Sequence, residues 1–276
     1  TNLSFTASGD VNGYTVSYMQ TSADKFAGMS SARMSIDLGD MGTLAFDQGS
    51  GSGLSTIDDK TPTAGEEIWD GLDGATAGGL VGAGSSGAWN YIGNYAGVGV
   101  NASFVKGSAT AQSDGGVSGA GNGGTSWDIA LTGSGSSFGM DGLALGAGYG
   151  DISNDAEATD EHLTAFANYT TGMVTIGVQT SQITKGAAGG VDEETLAGGI
   201  AININDDLSV SYGKRHVDFK EDTANSAKVQ EVGDGINVAY TMGSAKVVVT
   251  HNEVDGNGGV AGSSDENTEV ALSFAF

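Results

Sequence analysis

Carboxylates dominate the residues of this chain that could do chemistry. Asp58, Asp59, Glu66, Glu67, Asp70 and Asp73 lie in one long connection, residues 50–87, with Lys60 and the only proline, Pro62. The adjacent pairs Asp58-Asp59 and Glu66-Glu67 have the composition for acid–base work, but neighbouring loop acids are far more often solvated or bound to Ca²⁺. His162, His216 and His251 show no ligand spacing and read as structural, and no His-containing triad is suggested. The chain has no Cys, which excludes a thiolate metal site, a cysteine nucleophile and a disulfide scaffold, and leaves the redox compartment open. Asp255-Gly256-Asn257-Gly258-Gly259 faintly resembles a Ca²⁺ loop without its repeat or closing Glu, so occasional Ca²⁺ on acidic loops is compatible with the sequence and a required ion or other cofactor is not expected. With 10 Lys+Arg against 34 Asp+Glu and a formal charge of −24, the chain cannot easily supply the basic face a nucleic-acid binder needs.

The elements that must position these residues have period two. Leu3, Phe5 and Ala7 alternate with Ser4, Thr6 and Ser8; Ala32, Met34, Ile36 and Leu38 alternate with Arg33, Ser35 and Asp37. The same pattern recurs through Val98, Val100, Ala102 and Phe104, through Leu163, Ala165, Ala167 and Tyr169, and finally through Val270, Leu272, Phe274 and Phe276. Side chains on a strand alternate between faces, so each segment has one apolar and one polar face. Only 64–73 has helical character, with Thr63 as the expected N-cap and Glu66 and Glu67 near the positive end. The fold class is therefore all-β, of about 15 short strands.

Connections alternate in length. Tight ones fall at 10–13, 39–42, 96–97, 170–172, 205–207 and 241–244; long polar ones at 22–28, 50–87, 107–124, 151–160, 183–192, 218–228 and 254–265. Short turns on one side and long loops on the other are the layout of a transmembrane antiparallel up-and-down β-barrel. The polar faces are rich in Ser, Thr, Asn and Gly and the apolar faces are thin, which suits water inside and lipid outside better than a sandwich core. No run approaches a membrane-spanning helix of about 18 apolar residues, and no basic-then-apolar signal opens the sequence, so it reads as a soluble protein or a mature one. Strand parity suggests about 16 strands, with one N-terminal strand outside this sequence, or two merged in 133–143. Asp234 falls in phase with Ile236, Val238 and Tyr240, a misfit on a lipid-facing side.

Three stretches carry a family resemblance. Glu269-Val270-Ala271-Leu272-Ser273-Phe274-Ala275-Phe276 alternates and ends on Phe; Met41-Gly42-Thr43-Leu44-Ala45-Phe46 precedes the long acidic loop; Trp89-Asn90-Tyr91-Ile92-Gly93-Asn94-Tyr95-Ala96-Gly97-Val98 follows it. Together they resemble the Gram-negative general porins. That resemblance implies one barrel domain over 1–276 in the outer membrane, a homotrimer in contact with lipid and lipopolysaccharide, passive diffusion of small polar solutes and no enzymatic activity. It also implies that 50–87 folds inward as the pore-constricting loop, so that Asp58, Asp59, Glu66, Glu67, Asp70 and Asp73 face basic wall residues. Arg33, Arg215 and Lys246 lie on polar strand faces and are the expected wall cations, few enough to predict a cation-preferring passage. The competing readings are an acidic, Gly-rich surface adhesin or Ca²⁺-binding β-solenoid, which needs a fixed repeat; a barrel enzyme, which needs a nucleophile and base; and a solute-specific channel, which needs inward aromatic tracks where only Phe166 is expected.

Overall fold

The computed structural model describes residues 3–23, 28–48, 53–73, 80, 83, 86–107, 124–153, 158–221 and 228–275. They form β1 (Leu3–Val11), β2 (Tyr14–Ser22), β3 (Met29–Asp37), β4 (Thr43–Gln48), β5 (Ser86–Tyr95), β6 (Val98–Val105), β7 (Ser126–Ser134) and β8 (Leu143–Ser153). There follow β9 (Thr159–Thr171), β10 (Val174–Thr184), β11 (Val191–Asn203), β12 (Leu208–Glu221), β13 (Glu231–Met242), β14 (Ala245–Asp255) and β15 (Ser264–Phe274). The strands lie in one sheet in strict sequence order, an up-and-down arrangement, and the described residues contain no α-helix. The stretch 133–143 is a short connection through a 3₁₀ turn, Gly135–Phe138, and so hides no further strand. The chain divides into two compact units: Thr1–Ile57 with Leu80–Gly133 and Ala147–Leu163, and Asp58–Gly79 with Ser134–Gly146 and Thr164–Phe276.

In the first unit the register aligns Tyr18, Met34, Phe46, Trp89, Phe104 and Trp127 in one cross-strand row. All six are exposed, and Phe46 packs edge-on against Trp89 at 5.1 Å. An exposed row of large apolar side chains is unfavourable against water and fits a hydrocarbon surface. The opposite face is where burial occurs, and much of it is polar: Asn90, Ser103, Ser126 and Asp128 are buried there.

In the second unit Val210, Val238, Val249 and Val270 make one exposed-face row, and Leu208, Tyr240, Val247 and Leu272 make the next. Asp234 belongs to a charged row, Lys214–Asp234–Glu253–Glu266, separated from the valine row by Tyr212–Ile236–His251–Thr268 and lying on the side of the long connections. Its outward phase is thus accommodated at the end of the apolar band, beside Lys214. The buried face again carries polar side chains, among them Gln179, Asn237, Thr250 and Asn252, with Phe166 buried there and Phe219 in phase with buried Arg215 and Val217.

Candidate functional site

The connection between β4 and β5 is bound to the polar faces chiefly through its backbone. In the first unit, Asn101 Oδ1 accepts from Gly53 N at 3.0 Å and Asp128 Oδ1 from Leu54 N at 3.1 Å, while Asp128 Oδ2 accepts from Ala83 N. In the second, Gln179 Oε1 accepts from Lys60 N at 2.6 Å and its Nε2 donates to Asp58 O at 3.0 Å. Asn168 Nδ2 donates to Lys60 O, Ser211 Oγ accepts from Ala64 N, and Asn237 accepts from Glu66 N and donates to Glu66 O. Asn252 Nδ2 donates to both Glu67 O and Asp70 O, and Asp265 Oδ2 accepts from Asp73 N. Buried peptide groups need partners, and these wall side chains supply them where no neighbouring strand can.

Glycines make the seats. A Cβ on Gly148 would stand 2.6 Å from a Leu54 methyl, one on Gly177 2.5 Å from the Pro62 ring, and one on Gly213 2.7 Å from an Ile68 methyl. Glycine within a strand weakens it and commonly marks a close approach. At these positions the close approach is by the connection, whose Leu54, Ile57 and Ile68 are buried as a result.

The expected helix over 64–73 does not form. Thr63 accepts from Gly65 N at 3.1 Å and donates to Glu66 O at 2.8 Å, a local turn in place of an N-cap. Gly71 takes φ +73, and the carbonyls of Glu66, Glu67 and Asp70 are taken by wall amides instead of an i→i+4 ladder. A helix of this length is marginal in isolation, so the wall competes for its backbone successfully.

With the backbone anchored, the carboxylates are presented together. Asp58, Asp59 and Glu67 form one cluster, in which Asp59 acts electrostatically on both others and stands 3.6 Å from Lys60 Nζ. Burial raises the Asp58 carboxyl to about 6, and the Asp59 carboxylate adds to the rise against a smaller opposing effect of Lys60. Glu67 is also raised, first by burial and then by Asp59 and Glu66. Glu66 stands beside Glu67 and is exposed. Asp70 and Asp73 are exposed members of the same segment whose backbones bond to Asn252, Asp265 and Asn257.

The expected wall cations divide. Arg33 takes the polar face, opposite in phase to exposed Met34. Lys246 takes the polar face of β14 with Thr250 and is exposed. Arg215 does not act as an open wall cation: it is 1% exposed, bonds to Glu231 at 2.5 Å, and lies 4.9 Å from the Trp69 ring centroid. Its charge is neutralised locally because Glu231, itself fully buried, sits on the neighbouring strand. Sequence reasoning missed Glu231 and the gripping amides Gln179, Asn237 and Asn252. The one signal available was long amides at polar-face positions otherwise held by Ser and Thr. The histidines lie on β9, β12 and β14; His216 bonds to Gln230 and His251 to Thr268.

No protein-family model matches the sequence, and no curated protein matches it. Solved structures do. OmpT, an outer membrane protein of Vibrio cholerae, is 16% identical with a TM-score of 0.68, covering 99% of this chain and 89% of that one; a trimer form of OmpT also matches. An anion-selective porin from Comamonas acidovorans is 13% identical with a TM-score of 0.68, covering 100% and 89%. A mutant of the Rh. blastica porin is 14% identical with a TM-score of 0.60, covering 100% and 89%. The fold of this chain is that of the outer-membrane porins, as the three sequence stretches implied.

Proposed function

We propose that this porin-fold chain forms a water-filled channel in the outer membrane of a Gram-negative cell, through which small hydrophilic solutes and ions diffuse passively and cations are preferred. The observation that carries the proposal is the Asp58–Asp59–Glu67 cluster on a segment fastened by its backbone to the polar strand faces. Fastening through peptide groups leaves side-chain charge available to a passing ion. The fold itself does not determine the sign, since a matching porin is anion-selective. Here the sign follows from the charges: a carboxylate cluster, a formal net charge of −24 and an Arg215 already neutralised by Glu231. A passive channel needs no catalytic residues and no cofactor. The likeness to a protein with a trimer form supports a homotrimer, with lipid and lipopolysaccharide against the outward apolar rows.

Asp58 gives the proposal a pH signature. A carboxyl with a value near 6 is charged at neutral pH and loses its charge as pH falls through 6. Cation preference, read as reversal potential across a salt gradient, is therefore expected to decline between pH 7.5 and 5, and Asp58→Asn to flatten that step. A wild-type reversal potential constant over this range contradicts the role of the cluster. The stability effect has a definite sign. The folded protein holds a proton that the unfolded chain releases, so this group's contribution is fully present below 3.8 and is lost as pH rises through about 6.

A further inference from the structure

The connection between β14 and β15, which the sequence presents as a faint Ca²⁺ loop, is bound to the same segment that carries the carboxylates. Asn257 Nδ2 donates to Asp73 O at 2.6 Å. Gly258 N donates to Glu231 Oε2 at 2.9 Å, and Gly258 O accepts from Lys228 Nζ at 3.0 Å. The other oxygen of Glu231 holds Arg215, whose guanidinium faces the Trp69 ring. The contacts close a circuit: Trp69, Arg215, Glu231, Gly258, Asn257, Asp73, and back along the backbone to Trp69. Glycines let the turn approach this closely. Gly256 and Gly258 have φ +66 and +62, and a Cβ on Gly256 would stand 2.3 Å from Gln230 O.

We infer that residues 256–259 are a clamp on the constriction segment, with Asn257 and Glu231 as positioning residues that fix where residues 66–73 stand. The inference rests on the proposed channel function. The gripping amides Asn237 and Asn252 hold the segment at 66–70, Asn267 packs against Gly71, and Asp73 at the far end is bonded through its N to Asp265 and through its O to Asn257. A segment that loses one of the anchors at its far end samples local openings more often than one that keeps them all. In a channel, such openings appear as fluctuations of the open-state current at a preserved average selectivity.

Asn257→Ala and Glu231→Gln test this, with two readouts. The first is open-channel current noise in planar bilayers. The second is acrylamide quenching of Trp69 in vesicles, in a Trp89→Phe, Trp127→Phe background, since those are the other two tryptophans and both lie on the outward apolar row. Both variants are expected to raise the noise, and to raise the quenching constant about twofold through local opening of the segment. Wild-type noise and quenching in a folded Asn257→Ala protein overturn the clamp, whatever becomes of Glu231→Gln. If the wild type does not conduct, the channel reading fails. Unchanged Trp69 quenching in Asn257→Ala would still reject the clamp separately.

Discussion

Replacing Asp58, Asp59 and Glu67 together by Asn, Asn and Gln is expected to bring the K⁺/Cl⁻ permeability ratio to near or below unity. In water, a unit charge about 4 Å from a passing ion changes its energy by roughly 1 kcal/mol, or roughly fivefold in occupancy, and the effect is larger where the wall excludes water. Three clustered carboxylates therefore outweigh the neighbouring Lys60, which the triple variant leaves unopposed. The matched control is Asp70→Asn with Asp73→Asn. These residues belong to the same segment but lie outside the cluster, so the reversal potential should move less. Screening adds a second check: the preference should weaken as salt rises from about 0.1 M to 1 M, as the Debye length shortens from about 10 Å to 3 Å. Equal shifts from the triple and control variants would show that net acidity, and not the cluster, sets the selectivity.

Val249→Arg is expected to destabilise the folded protein in lipid by about 2–4 kcal/mol, the cost of an arginine facing hydrocarbon near the midplane. Val249 sits in the row Val210–Val238–Val249–Val270, flanked by Tyr240 and Leu272 in the next row. Lys246, three residues earlier on the same strand, lies on the opposite face, and Lys246→Ala should change stability by no more than about 0.5 kcal/mol. Urea titration of vesicle-folded protein measures both. A Val249→Arg protein as stable as wild type would mean that this row does not face lipid, which would remove the membrane premise.

The fold was legible because period-two alternation and alternating loop lengths are properties of the chain itself. A strand that must present lipid on one face and water on the other writes that requirement into every second residue, from Leu3, Phe5 and Ala7 to Val270 and Leu272. The location of the acidic segment was legible for the same reason, as the longest interruption of the pattern. Its conformation was not. Ala64 to Asp73 has the composition of a short helix, but its backbone is captured by Asn237 and Asn252, more than 160 residues away in sequence, and no local rule sees that competition. The wall amides were invisible for a related reason: a polar-face Asn looks the same whether it meets water or a docked peptide. The strand glycines Gly148, Gly177 and Gly213 read as weak points until the side chains seated on them are seen. Arg215 lies on the polar face that its phase predicts, but its neutralisation depends on Glu231, at the start of the next strand and on the far side of a long connection.

The most direct test of the central claim is the conductance of the purified wild-type protein in a planar bilayer under a salt gradient at pH 7.5. The account predicts stepwise conductance, in groups of three for a trimer, with a reversal potential of the sign that marks cation preference. A folded, heat-modifiable protein that inserts without conducting, or that conducts with anion preference, would contradict it.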